Sequence, residues 1–340
     1  MEIIDITKMK KPDLLKRCKE LGITKCSSKK KSELIDLINN RPQTMQSAQT
    51  VQTLENTVVS GGKIVSIIPH SVSVEIKKGL KPIVKWSGGK SDEIKQFEKY
   101  IPPEYDTYLE PFIGGGSVYF YLKPKKAVIS DVHTELIDLY QSIGEGKSNE
   151  IYEFMQNSPN DEETYYKIRD TMPIDTKLDK AKRFYYQRKT CFRGMLRYNR
   201  HGKFNIPFGR YKTINYSDLQ NKNYEDLLSK TEIVNKSFEY IFENYNNENN
   251  FMFLDPPYDS EFTDYGYCKF GKEEQEKLAI LFKNTKIKCL MIIGKTKFIE
   301  DLYKDYIVGE YDKKYRFKLH SGRIGDEINT KHLIIMNYKL

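Results

Sequence analysis

The sequence predicts an α/β domain built on a mostly parallel sheet, carrying a mostly helical insertion and preceded by a small helical unit. Three observations predict it. From about residue 81 onward, apolar runs of strand length alternate with helical patterns, and that alternation gives a parallel sheet. Between about 150 and 250 the rhythm breaks into a stretch dense in Tyr, Phe, Arg, Lys and Asn, which reads as the insertion. Residues 1–40 hold two short helical periods around a basic loop. A chain of 340 residues has room for one large domain and a small one.

In chain order, Pro12 and Asp13 open a first helix with Leu14, Leu15, Cys18 and Leu21 at helical spacing, and Gly22 ends it. Ser32 and Glu33 start a second, with Leu34, Leu37 and Ile38. The loop KCSSKKK lies between them. This helix–loop–helix is similar to a SAP-type DNA-binding motif; a helical hairpin for protein contact is the other reading. So small a unit is marginally stable alone. Residues 41–62, rich in Gln, Thr and Ser, read as a linker, and the alternation within 63–80 is compatible with a short hairpin. The expected strands are TYLEPF (107–112), KAVISD (126–131), FMFLD (251–255), CLMIIG (289–294) and HLIIMNY (332–338).

Composition narrows the partners. A formal net charge of +9 favours a polyanion, with nucleic acid ahead of an anionic membrane surface. No run reaches the about 18 apolar residues of a membrane span, and no signal peptide is expected, since the first residues lack an apolar run followed by a small-residue cleavage site. The cysteines (Cys18, Cys26, Cys191, Cys268 and Cys289) form no C-x-x-C pair and lie beside no histidine at zinc spacing, so no metal is expected. A reducing, cytoplasmic setting fits them. Abundant Lys, Ile, Asn and Tyr point to an AT-rich genome, as in a phage or large DNA virus.

Three motifs carry chemistry. The first is EPFIGGGS at 110–117, between a strand and a helix, where glycines let the backbone turn tightly against a ligand. Asp131 ends the next strand, seventeen residues beyond Gly114, the spacing at which an acid accepts ribose hydroxyls. NAD and S-adenosylmethionine both have a ribose. The second is KWSGGK at 85–90, with the only tryptophan.

The third is DPPY at 255–258, directly after an apolar strand. The nitrogen of an exocyclic amine such as adenine N6 is a poor nucleophile, because its lone pair is delocalised into the ring. A carboxylate (Asp255) and a carbonyl (Pro256) that accept its two hydrogens draw the nitrogen toward tetrahedral geometry. The Pro256–Pro257 pair fixes the turn, and Tyr258 offers a ring to a base pulled from the stack. Transfer of a methyl from a sulfonium then needs positioning and fixed dipoles, with no metal and no covalent intermediate.

These motifs occur in the order seen in Dam-like DNA adenine N6-methyltransferases, which the chain resembles from about 83 to 338. The segment RYNRHGKFNIPFGRY at 197–211 is similar to part of that family's recognition region. The resemblance implies a Rossmann-like S-adenosyl-L-methionine-dependent methyltransferase sheet with one reversed strand, for which HLIIMNY is the candidate. It implies Trp86, Lys90, Glu110, Phe112, Gly114, Gly115, Gly116, Asp131 and Asp255 as the cofactor set. Asp255, Pro256, Pro257 and Tyr258 are implied as the catalytic motif.

Independently, basic residues cluster between 188 and 212 among aromatics, as phosphate and guanine contacts require; a solvated basic face is the alternative. Arg188, Arg193, Lys203 and Arg210, with Arg197 and Asn199 favoured by the resemblance, are the expected contacts to double-stranded DNA, and the resemblance likewise implies a GATC-type target. A homodimer is left open. The chain departs from the family at CFRGML (191–196), which matches only at Gly194, and at Gly294–Lys295, where Dam itself has Ser-Asn. The competing readings are an N4-cytosine or RNA methyltransferase, a DNA-binding scaffold with a decayed enzyme domain and, more distantly, an NAD enzyme.

Overall fold

In the computed structural model the described residues are 11–20, 29–39, 79–258, 270–315 and 328–339. The chain divides into two compact units, Met1–Ser73 and Val74–Leu340. In the first, helices α1 (Lys11–Glu20) and α2 (Lys31–Asn39) bury Leu14, Cys18 and Leu34 against one another. Leu21, Gly22 and most of the basic loop lie outside the described residues, as do the linker and the 63–80 alternation up to residue 78.

The second unit is built on a seven-stranded sheet of order β3-β2-β1-β4-β5-β7-β6. Its strands are β1 (Tyr108–Glu110), β2 (Ala127–Ser130), β3 (Thr231–Val234), β4 (Phe251–Leu254), β5 (Lys288–Gly294), β6 (Ile307–Tyr315) and β7 (Ile328–Met336). The first five pair in parallel, while β7 runs antiparallel to both β5 and β6. One reversed strand between parallel neighbours is the arrangement expected of HLIIMNY.

Alternate strand residues enter opposite cores, as a period of two requires. Tyr108, Ile129, Phe253 and Ile292 lie in one core, and Leu109, Val128, Met252 and Met291 in the other. The first core is covered by α3 (Ile94–Phe97), α4 (Ser117–Leu122), α5 (Thr134–Gly144), α8 (Lys177–Thr190) and α9 (Lys222–Leu228), which contribute Phe97, Phe120, Tyr140, Phe184 and Tyr224. The second is covered by α10 (Phe238–Asn244), α11 (Lys272–Asn284) and α12 (Lys297–Tyr303) through Ile241, Phe282 and Tyr303.

Two strands lie outside the sequence expectation. β3 falls inside the stretch read as an insertion. The sheet therefore resumes at Thr231, and the mostly helical region runs from α6 (Ser148–Gln156) and α7 (Glu162–Thr171) through α9. β3 escapes a hydropathy reading because it is a four-residue edge strand, nowhere fully buried. β6 is the opposite edge. Residues 307–314 of its IVGEYDKKY alternate between half-buried and exposed, and the strand is interrupted by a register shift at Gly309, so it lacks an apolar run.

Successive strands pass from β1 outward to β2 and β3, and β4 then returns to the other side of β1. At such a reversal the loops leaving the carboxyl ends of the two central strands part and open a crevice. Those loops are 111–116 after β1 and 255–258 after β4.

Candidate active site at the carboxyl edge of the sheet

The glycine turn after β1 needs its glycines for stated reasons. Gly114 has φ +43°, and a Cβ there would lie 2.6 Å from the Trp86 indole; Gly116 has φ +69°. The turn is fixed from three sides. Gly114 N–H donates to Asp131 Oδ2 at 3.0 Å, Tyr140 donates its hydroxyl to the Gly114 carbonyl at 2.8 Å, and Ile113 N–H donates to the Ser130 carbonyl at 2.9 Å. Asp131 also accepts the His133 N–H at 2.9 Å. Burial pushes the Asp131 carboxyl up to about 6, against the backbone N–H groups of His133, Gly114 and Val132. Val132 beside it is 45% exposed, an apolar side chain that the sequence reading did not single out.

Across the crevice, Lys90 is buried and donates to both Asp255 oxygens at 2.6 Å and to the Gly88 carbonyl at 2.7 Å. Asp255 retains 20% side-chain exposure. Burial raises its carboxyl above the ordinary range, and the Lys90 charge and hydrogen bond oppose that. Breaking a buried pair of this kind from one side costs about 3–5 kcal/mol. The segment carrying Trp86 against Gly114 thus also carries the Lys90 that holds Asp255, so the two loops share one edge of the sheet. Glu110 forms the floor. It is 3% exposed, accepts the Tyr108 hydroxyl at 2.6 Å, and is held well above its ordinary pKa by burial, with the Asp255 charge adding to it.

Phe112 stacks on Phe238 with centroids 5.5 Å apart and meets Phe270 edge-on at 5.6 Å. Gln275, buried on α11, donates to the Pro257 carbonyl at 2.7 Å and fixes the 255–258 turn from below. A lone glutamine on an amphipathic helix gives no sequence signal of that role.

Of the expected DNA contacts, Arg188 is corrected. It is 2% exposed. Its guanidinium donates to the carbonyls of Met195 (2.6 Å), Gly194 (2.7 Å) and Lys85, and lies 5.6 Å from the Trp86 ring. A side chain enclosed in this way joins the 194–195 backbone to Lys85 and Trp86 and cannot reach a phosphate. Arg193, Arg197, Lys203 and Arg210 are exposed, and Arg210 pairs with Glu162 at 3.1 Å. Asn199 is half-buried, and its carboxamide oxygen accepts the His201 and Lys203 amides, closing the tip of the loop.

A second joint ties this segment down. His133, whose pKa burial lowers to about 4, accepts the Leu136 N–H at Nδ1. Its Nε2 therefore carries the hydrogen and lies 2.8 Å from the Tyr198 hydroxyl. Tyr198 donates to Glu135 at 2.8 Å, and Arg183 donates to the same carboxylate at 2.7 Å.

A family model for D12 class N6 adenine-specific DNA methyltransferases matches residues 86–319. The chain belongs to that family. The methyl donor of the family, and of this chain, is S-adenosylmethionine, and DNA is the substrate. The match decides for adenine over the N4-cytosine, RNA, scaffold and NAD readings. Among similar proteins, the type II methyltransferase M.CviBI of Paramecium bursaria Chlorella virus NC1A is 60% identical over 261 residues, 76% of this chain and 100% of its own length. M.MjaIII of Methanocaldococcus jannaschii is 33% identical over 290 residues, 76% of this chain and 99% of its own. The DNA adenine methylase of Haemophilus influenzae is 26% identical over 249 residues, 69% and 87% of the two chains. Among the described residues, no helix is long and apolar enough to cross a membrane.

Proposed function

We propose that this DNA adenine methyltransferase works on double-stranded DNA from which the target adenine is extruded, and that Asp255 and the Pro256 carbonyl grip its N6 amine. The observation that carries this reading is the Lys90–Asp255 pair. It fixes a half-buried carboxylate on the same sheet edge as the 114–116 turn. Lys90 occupies one side of the carboxylate, so the amine hydrogen is accepted on its exposed fifth. Tyr258 receives the base face, since every base offers a π-surface to an aromatic ring.

The residues present suit S-adenosylmethionine. The Asp131 carboxylate accepts ribose hydroxyls, Val132 and Trp86 offer apolar surface to the purine, and the 114–116 backbone leaves room for the methionine portion. Bound there, the cofactor supplies an electrophilic methyl group on a sulfonium. Asp255 then orients the amine lone pair toward that methyl and stabilises the positive charge that develops on the nitrogen. Arg193, Arg197, Lys203 and Arg210 run along the phosphates and base edges, and the tip shaped by Asn199 enters a groove. The α1–α2 unit adds affinity for DNA without joining in the chemistry.

Methyl transfer from labelled cofactor to unmethylated duplex DNA tests the reading. Asp255→Ala should lower the rate by at least about 10²- to 10³-fold. Asp255→Asn, which keeps the shape of the side chain but leaves the buried Lys90 ammonium without its counter-charge, should be similarly impaired and should lower the melting temperature. Undiminished transfer by either folded variant would remove Asp255 from its role. Sequencing the modified adenines in genomic DNA from expressing cells reports base and target together. A GATC-type motif is the expectation carried by the Dam-like resemblance, and another motif assigns the change to the divergent residues 191–196.

A further inference from the structure

The Tyr258 ring is bounded by three groups that reach it from different parts of the chain. His332 on β7 meets it edge-on, with centroids 5.2 Å apart and planes at 87°. Gly294, at the end of β5, lies directly against it: a Cβ there would come within 3.1 Å of ring Cδ2. The Lys90 ammonium lies 5.2 Å from the ring centroid.

His332 is fully buried and is itself held. Its Nδ1 lies 2.7 Å from Glu93 Oε2. The same oxygen accepts the Tyr311 hydroxyl at 2.7 Å, and Lys313 donates to Oε1. Burial pushes the Glu93 carboxyl up, but the His332 hydrogen bond, the Lys90 charge and the bonds from Lys313 and Tyr311 bring it down to about 2.

Glu93 follows Lys90 by three residues, and its amide donates to the Lys90 carbonyl at 2.8 Å. One short segment therefore fastens both ends of the 255–258 turn. Lys90 holds the carboxylate directly, and Glu93 reaches the ring through His332.

We propose that Glu93, His332 and Gly294 are positioning residues that set the plane of the Tyr258 ring on which the extruded adenine stacks. The proposal rests on the reading that Tyr258 receives the base. A ring that must meet a base face productively has to be presented within about 0.5 Å and 10–20°. Each neighbour restricts a different movement. His332 blocks rotation at the ring edge, and the missing side chain at 294 leaves the space that the ring occupies. The glycine where Dam itself has serine thus becomes part of how this chain shapes its base pocket.

A double-mutant cycle on single-turnover methyl transfer to unmethylated duplex DNA tests this, with the DNA dissociation constant and the melting temperature measured alongside. Gly294→Ala and His332→Ala should each slow transfer about five- to tenfold, the scale of one aromatic contact, with DNA affinity unchanged. In a Tyr258→Ala background, itself slow, each should add less than about twofold. Fully additive losses would overturn the proposal, because the two positions would then act without the ring. If His332→Ala fails to fold, Gly294→Ala carries the test alone, through its own contact with the ring. A Tyr258→Ala rate equal to wild type would defeat the base-receiving reading itself, and the proposal with it. A slow Tyr258→Ala with additive partners would defeat only the positioning.

Discussion

At the carboxyl edge of the sheet, Asp255, one residue beyond β4, is held by Lys90, and the 255–258 turn by Gln275 on α11. In the 191–211 segment, two isolated antiparallel bridges, Cys191–Phe208 and Tyr198–Phe204, take the place of extended pairing, and most polar side chains face outward. That segment is nevertheless anchored, through Arg188 on one side and the Tyr198–His133–Glu135 relay on the other. Both anchors end beside residues that touch the Gly114 turn, at Lys85–Trp86 and immediately after Asp131. The contrast teaches where rigidity is placed. The groups proposed for chemistry are preorganised by burial. The groups proposed for reading DNA are exposed, but hang from buried joints that fix where the loop starts and ends.

The sharpest break of this comparison sets Arg188 against Arg197. Arg188→Ala would strand three carbonyls and should lower the melting temperature by about 5–10 °C, with both cofactor and DNA affinity reduced. Arg197→Ala, at an exposed position, should leave the melting temperature unchanged and weaken DNA binding by about 1–3 kcal/mol. Equal thermal effects in scanning calorimetry would show that the loop is not hung from Arg188.

The next effect is pH dependence at Asp131. In its proposed role as ribose acceptor Asp131 must be ionised, so affinity for S-adenosylmethionine should fall by about tenfold per pH unit below about 6, and Asp131→Asn should flatten that limb. Titration calorimetry across that range decides, and a flat wild-type profile would remove Asp131 as the ribose acceptor. For stability the sign is reversed. Burial raises the folded pKa above the ordinary 3.8, so the native state holds this proton more tightly than the unfolded chain. That contribution is complete below about 3.8 and is lost as the pH rises through about 6.

The smallest effect concerns the first unit. Deleting residues 1–60 should weaken DNA binding a few-fold at moderate salt and leave turnover at saturating DNA nearly unchanged. A large loss of saturated turnover would tie α1 and α2 to the chemical step.

Much of this arrangement is legible in the sequence, because three ordered motifs sit at strand ends. KWSGGK, EPFIGGGS with Asp131, and DPPY mark the turn proposed for the cofactor and the carboxylate proposed for the chemistry. HLIIMNY marks the reversed strand, because buried strands read as apolar runs. The edge strands β3 and β6 do not read that way, since an edge buries half its residues at most. Arg188 sits in a run of basic residues indistinguishable from its exposed neighbours, and only packing reveals that its guanidinium serves backbone carbonyls. Glu93, Gln275 and His332 act across separations in sequence as large as 239 residues. Sequence determined the chemistry by placing particular residue types at strand ends. Tertiary structure decided which charges are buried as joints, because burial and long-range hydrogen bonding depend on which elements the sheet order brings together.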